Sequence, residues 1–146
     1  MKYNHTQIGV LMIIVLIAIT FLFIYIVYLN GVEFYSLTSM ILIFLILLSF
    51  LTLNVNIDDD ALNIKFGYGL YTNSFLLKEI ESVKVVKNPW YIGWGIRFWF
   101  WPKKIIVYNV SGFDAVEIVL KDGKIYRIGT DEPIQLEKVI NENIIK

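Results

Sequence analysis

The sequence predicts an α+β membrane protein, in which a transmembrane helical hairpin precedes a seven-stranded β-barrel or sandwich closed by a C-terminal helix. Two long apolar runs near the N-terminus, alternating apolar and polar residues in the middle, and a helical repeat of apolar residues at the end predict these three parts. We divide the chain into residues 1–53, the tail and hairpin, and residues 54–146, one small domain.

Two uncharged apolar runs, Ile8–Leu29 and Ser36–Leu53, predict the hairpin. Each is close to the length of about 20 apolar residues that a helix needs to cross the hydrocarbon core. The link at 30–35 is so short that the two helices must be antiparallel. We interpret the first run as a span and not as a cleaved signal peptide, because it is long, lacks a small-residue cleavage site and is followed directly by a second run.

The basic residues next to the two runs predict the orientation. Lys2 precedes the first run, Lys65 is the first basic residue after the second, and the link contains neither Lys nor Arg. Cytoplasmic segments carry the excess of Lys and Arg. We therefore expect a multi-pass protein of the cell membrane with both termini in the cytoplasm.

Alternating residues predict the β domain. Leu53, Val55 and Ile57 alternate with asparagines, and residues 62–66 alternate in the same way, with the turn Asp58-Asp59-Asp60 between them. Five further strands are expected at 75–77, 82–87, 104–108, 115–121 and 124–128.

Two local signals complete the predicted domain. Asp122-Gly123 predicts a two-residue hairpin turn in which both residues take positive φ. Thr130 or Asp131 can cap a final helix that has Pro133 in its first turn and apolar residues at helical spacing from Leu136 onwards.

Composition argues against several functions. Thirteen basic residues balance thirteen acidic ones, so there is no electrostatic footprint for nucleic acid. Cysteine is absent and His5 is the only histidine, so Ser111 and Asp114 have no partner for a catalytic triad. The acidic triplet is more simply a solvated turn than a cation site, because three adjacent acids do not readily face one ion. We expect no catalytic residue, no metal and no cofactor.

The segment 89–104 is the candidate functional site. It contains aromatic and basic residues in close succession, namely Trp90, Tyr91, Trp94, Arg97, Phe98, Trp99, Phe100, Trp101, Lys103 and Lys104. Trp and Tyr are enriched at membrane–water interfaces, and lysines attract anionic lipid. Contact with the membrane interface is the favoured interpretation. Packing inside the domain, and a ligand pocket or partner site, stay open as alternatives.

Four other residues form a second candidate, a polar cluster of Asn109, Glu117, Arg127 and Asp131. We expect a structural ion pair between Arg97 and a carboxylate such as that of Glu117 or Asp131, although stacking on a ring or binding a phosphate are alternatives. Arg127 has the same ambiguity. Asp131 is favoured as a helix cap and Asn109 as a turn residue.

The strings Gly93-Trp94-Gly95-Ile96-Arg97 and Arg127-Ile128-Gly129-Thr130-Asp131-Glu132-Pro133 resemble a group of small bacterial membrane proteins that have two transmembrane helices and a pleckstrin-homology-like domain. The resemblance covers nearly the whole chain and implies a fold but no reaction. In eukaryotic members of the fold a basic pocket binds phosphoinositides. Here the corresponding turn, at 58–60, is acidic, so that function is not expected.

We therefore expect a non-catalytic binding or scaffold module, anchored in the membrane, with a pleckstrin-homology-like domain at the cytoplasmic surface. The alternative is a subunit or accessory of an oligomeric channel or transport complex. The apolar runs contain no ionisable residue, which argues against transport by a single chain. The expected partners are the lipid bilayer and a membrane protein or a second copy of the chain, and not nucleic acid.

Overall fold

The structure is a computed structural model that describes residues 2–144. Within these residues the fold is α+β, with three α-helices and nine strands in two sheets. In chain order the elements are β1 (Tyr3–Ile8), α1 (Val10–Asn30), α2 (Phe34–Ser49), β2 (Thr52–Ile57), β3 (Ala61–Phe66), β4 (Tyr71–Leu76), β5 (Ile80–Lys87), β6 (Gly95–Trp99), β7 (Ile105–Asn109), β8 (Asp114–Leu120), β9 (Ile125–Gly129) and α3 (Pro133–Ile144).

The first strand lies before the helices and pairs with the strand that follows them. β1 runs antiparallel to β2, and the backbone N–H of Gly9 donates to the carbonyl of Leu51 at 2.7 Å. A Cβ on Gly9 would lie 3.0 Å from that oxygen and 3.1 Å from the carbonyl oxygen of Val110, so the backbones meet closely at this point. The two helices are therefore an insertion between β1 and β2, two paired strands of the first sheet.

The two apolar helices differ in length. α1 has 21 residues, none of them buried, and within the described chain it alone is both long and apolar enough to cross a membrane. α2 is apolar but has only 16 residues. At about 1.5 Å per residue it is shorter than the hydrocarbon core of about 30 Å. The predicted second run extends to Leu53, but its last two residues belong to β2.

The strands form two open sheets. The first has the order β1-β2-β3-β4 and is wholly antiparallel, and the second has the order β5-β8-β9-β7-β6, with β7 and β9 parallel. Among the described residues neither sheet closes, so the barrel form of the predicted barrel or sandwich is not present. Within residues 2–144 there are nine strands where we expected seven, because β1 and β6 were not predicted.

The core lies between the inner faces of the sheets, and α3 packs on β5 and β8. The predicted C-terminal helix is confirmed, with Leu136 and Ile140 fully buried. Near the helices, the hydroxyl of Tyr108 lies 3.1 Å from that of Tyr71 and accepts a hydrogen bond from Asn73 at 3.0 Å. Burial of Tyr108 raises the pKa of its hydroxyl.

The β8–β9 hairpin has a three-residue loop and not the predicted two-residue turn. The N–H of Leu120 donates to the carbonyl of Lys124, and the N–H of Gly123 donates back to Leu120. Gly123 has a φ of 83°, whereas no non-glycine residue in the described chain has positive φ. This is the usual three-residue solution, a tight turn followed by one left-handed glycine.

Candidate functional site

The aromatic segment spreads along an edge strand and does not form one loop. Trp90–Ile92 form a short 3₁₀ turn, and β6 then pairs with β7, with Gly95 opposite Asn109 and Trp99 opposite Ile105. The Gly95 end is near the base of the helices, because Val110 follows β7 directly and contacts Gly9. Four residues at about 3.3 Å each place Trp99 about 13 Å farther along the strand.

We call five aromatic or apolar residues the rim. Tyr68 and Leu70 lie in the β3–β4 turn, which begins at Gly67 against Ser49 of α2, and Trp90, Trp94 and Phe113 line a recess next to Asn109, the residue opposite Gly95. Trp90 is 78% exposed and Leu70 is 64% exposed. Trp90, Trp94 and Phe113 line one small recess, and the neighbouring carbonyl of Ser111 accepts a hydrogen bond from Gln7 of β1 at 3.0 Å. Three rim residues, Tyr68, Leu70 and Phe113, were not predicted.

The remaining aromatic residues lie at the other end of β6. Phe98, Phe100 and Trp101 are exposed, and Lys103 and Lys104 beside them are exposed as well. Core packing therefore does not account for these three aromatic side chains. A segment that the sequence presents as one patch contributes to two separate surfaces.

A row of side chains crosses the outer face of the second sheet. The registers align Arg97, Val107, Arg127, Glu117 and Lys84 on five neighbouring strands. Arg127 Nε donates to Glu117 Oε2 at 2.7 Å, and Lys84 Nζ lies 3.0 Å from Glu117 Oε1. Burial alone would raise the pKa of Glu117, but the hydrogen bonds from Arg127 and Lys84 outweigh it and lower that pKa. Glu117 is thus a buried carboxylate.

Above this row lies a cavity of about 300 Å³, which we call the cleft. Ile105, Val107 and Ile125 line its floor. Tyr91 and Trp99 form one wall, with ring centroids 5.5 Å apart. The cleft adjoins a more open depression that reaches the β8–β9 turn.

The charged residues of the cleft are Lys84, Lys103, Glu117 and Arg127. Asn88 supports Arg127 from below: it is 4% exposed, and its Oδ1 lies 3.5 Å from Arg127 Nη1. Its Nδ2 has no hydrogen-bond partner among the described residues. No periodic signal distinguishes Asn88 in the sequence, which explains why it was not predicted.

The predicted polar cluster is brought together only in part. Of its four members, Glu117 and Arg127 form an ion pair. The separately expected ion pair of Arg97 with Glu117 or Asp131 does not form among the described residues, and Arg97 Nε donates instead to the Trp94 carbonyl at 3.0 Å. Asn109 has the expected turn role, since its Nδ2 donates to the Gly112 carbonyl at 3.0 Å.

Asp131 has a different partner from the one expected. Its Oδ1 lies 2.6 Å from His5 Nε2 on β1. The hydroxyl of Thr130 accepts the backbone N–H of Glu132 at 3.0 Å, just before α3 begins. Asp131 therefore connects the first strand to the helix entrance.

Among residues 2–144 no group of three or more His, Cys, Asp or Glu side chains is arranged to hold a metal ion. The acidic triplet forms a turn in which Asp58 Oδ2 accepts hydrogen bonds from Asn56 and Asn63, each at 3.2 Å. The sequence matches no family model and no curated protein.

Proposed function

We propose that the chain is a membrane-anchored, non-catalytic binding or scaffold module that presents its two-sheet domain at the cytoplasmic face of the cell membrane. The observation that carries this proposal is the pairing of β1 with β2 around two exposed apolar helices. The bond from Gly9 to Leu51 leaves no linker between the helices and the sheet. A bilayer would cover the apolar surface of the helices and hold the domain against the headgroups.

Exposed aromatic residues at both ends of the hairpin support two crossings of the bilayer. Tyr28, Phe34 and Tyr35 lie at its tip, exposed by 84%, 77% and 84%. The rim lies at its base. Aromatic residues favour both membrane–water interfaces, and a short span is accommodated by local thinning of the bilayer. The absence of basic residues from the tip supports the cytoplasmic placement of both termini.

We include the pleckstrin-homology-like family in this proposal. Two facing sheets with a closing C-terminal helix support it, whereas the count of nine strands in the described chain departs from the seven expected. The binding surface of the module lies away from the rim, on the outer face of the second sheet.

Cysteine labelling in intact cells tests the topology, because the chain has no native cysteine. We expect an impermeant maleimide to label Glu33→Cys at once, and to label Asn4→Cys and Asp59→Cys only after permeabilisation. Immediate labelling of the latter two with Glu33→Cys silent would reverse the orientation. If Asn4→Cys and Asp59→Cys label on opposite sides, the helices do not form a two-pass hairpin and the proposal fails.

A further inference from the structure

We propose that the cleft binds an organic anion, a ligand with one phosphate or carboxylate group joined to a small flat apolar body. This inference rests on the proposed function, because it names the class of ligand that the module takes. The cleft places the guanidinium of Arg127 and the ammonium groups of Lys84 and Lys103 beside the ring wall of Tyr91 and Trp99.

The charges of the cleft favour an anion. Three cations face one carboxylate, that of Glu117, so the cleft has an excess of positive charge. Among the described residues, Glu117 accepts from the Nε of Arg127 and not from its Nη groups, and Nη1 has one long contact, 3.5 Å to Asn88. An arginine with Nη groups left for a ligand can bind a phosphate or carboxylate through two hydrogen bonds. Glu117 then acts as a positioning residue that orients the guanidinium.

The apolar surfaces of the cleft favour a ligand with a flat body. A solvated sheet face normally carries polar side chains, yet four of the five residues in the row next to the charges are apolar: Trp99, Ile105, Ile125 and Val119, followed by Ser82. The first three of them line the cleft. Tyr91 reaches back from the 3₁₀ turn to the ring of Trp99. A cavity of about 300 Å³ is at the small end of the range for ligand pockets. An aromatic ring beside one anionic group fits both its size and its lining.

The test uses the full chain in phosphatidylcholine nanodiscs, with phenyl phosphate as the probe. Trp90, Trp94 and Trp101 are replaced by Phe, so that Trp99 alone reports from the cleft wall. We expect a saturable change in Trp99 fluorescence with phenyl phosphate. We expect the affinities for inorganic phosphate and for phenol to be at least about tenfold lower, because the first lacks the aromatic ring and the second lacks the anionic group. Equal responses to all three compounds, or no saturation, would overturn the proposal.

Substitutions locate the site. Arg127→Lys keeps the charge but loses the planar fork, and we expect about a tenfold loss of affinity. Lys103→Gln removes an exposed cation without touching the core and serves if Arg127→Lys fails to fold; we expect it to weaken binding several-fold. The matched control is Lys78→Gln, an exposed lysine outside the cleft. Unchanged binding by Lys103→Gln, or an equal loss in Lys78→Gln, would contradict the assignment.

A final arm identifies the source of the anion. Phosphatidic acid in the nanodisc competes with phenyl phosphate if a lipid headgroup reaches the cleft, and does not compete if the ligand comes from solution. Either result supports the anion site and selects its source. The binding test and the topology test are independent. Saturable binding together with cysteine labelling that contradicts the hairpin would support the anion site and refute the membrane anchor. The expected labelling without saturable binding would refute the anion site alone.

Discussion

The hydroxyl of Tyr68 donates a hydrogen bond to the backbone carbonyl of Leu45 at 3.0 Å, joining a turn of the β domain to the flank of α2. Leu45 lies one helical turn before the end of α2 at Ser49, so Tyr68 reaches along the helix and not merely to its end. Its ring is 57% exposed. The proposed topology would place this ring at headgroup level, with its hydroxyl already bonded.

Replacing Tyr68 by Phe tests this connection. The variant keeps the ring and loses the hydrogen bond, so we expect the free energy of unfolding in nanodiscs to fall by about 1 kcal/mol. Tyr35→Phe is the matched control, since Tyr35 is exposed at the hairpin tip and its hydroxyl has no hydrogen-bond partner among residues 2–144. Equal effects of the two substitutions would show that the bond contributes nothing specific.

Depth-dependent quenching tests the division of the aromatic segment. With single tryptophans and doxyl-labelled lipids, we expect Trp90 to be quenched by labels near the headgroups and Trp101 to be quenched much less. Trp90 belongs to the rim, whereas Trp101 follows the far end of β6. Discs without the label provide the baseline. Equal quenching of the two would mean that β6 lies flat on the membrane.

Gly67 tests the junction between the domain and α2. Its φ is 47°, and a Cβ would lie 2.5 Å from the carbonyl oxygen of Ser49. Gly123 also has positive φ, but a Cβ there meets nothing within 4 Å. We expect Gly123→Ala to cost about 1–2 kcal/mol of stability, the backbone penalty alone, and Gly67→Ala about 1–3 kcal/mol more. Thermal unfolding of both variants measures the difference between their losses of stability. Equal losses would show that the backbones of Gly67 and Ser49 are not in close contact.

A disulfide tests the register of β1. Asn4 lies opposite Asn56, and facing residues on antiparallel strands have Cα atoms about 4.5–5.5 Å apart, within disulfide range. We expect the Asn4→Cys, Asn56→Cys variant to crosslink readily under mild oxidation. The control pairs Asn4→Cys with Asn63→Cys, one strand farther away at about 9.5 Å. Preferential crosslinking of the control would exclude the observed pairing.

Acid unfolding tests the buried carboxylate. The pKa of Glu117 is lowered from its ordinary value of 4.5, so its contribution to stability is complete above pH 4.5 and is lost as the pH falls through the lowered pKa. We expect Glu117→Gln to cost about 3 kcal/mol at pH 7 and to flatten the stability profile in that acidic range. Asp114→Asn is the control, because its contact with Lys87 is exposed and long, at 3.9 Å. If the free energy of unfolding of Glu117→Gln falls with decreasing pH as steeply as that of the unsubstituted protein, a group other than Glu117 causes the acid sensitivity.

Periodicity identified the elements with one apolar face. Leu53, Val55 and Ile57 are all buried on one face of β2, and the repeat at Leu136 and Ile140 predicted α3. β1 was missed because its core-facing residues include His5 and Gln7, which bond to Asp131 and Ser111 and not to apolar neighbours. Only the tertiary fold supplies those partners.

The candidate site was predictable in composition but not in arrangement. The sequence draws attention to the tryptophans, yet nothing in it shows that β6 separates Trp94 from Trp99. The pair Glu117 and Arg127 arises from the register of β8 and β9, which no local pattern specifies. Asn88 and Tyr68 are typical loop residues, whose roles depend on what the second sheet and α2 place next to them.

The pairing of β1 with β2 has a consequence for the order of events during synthesis. β1 leaves the ribosome before the helices and before β2, so it has no partner in the first sheet until Thr52–Ile57 emerge, and under the proposed topology the two strands then lie on the same side of the bilayer. If the helices cross the bilayer as proposed, a hairpin that does not return would leave Gln7 and His5 on the opposite side of the membrane from Ser111 and Asp131. Under that topology we expect the first sheet to be completed only when both helices are correctly inserted, so that the folding of the domain would depend on the insertion of its own anchor.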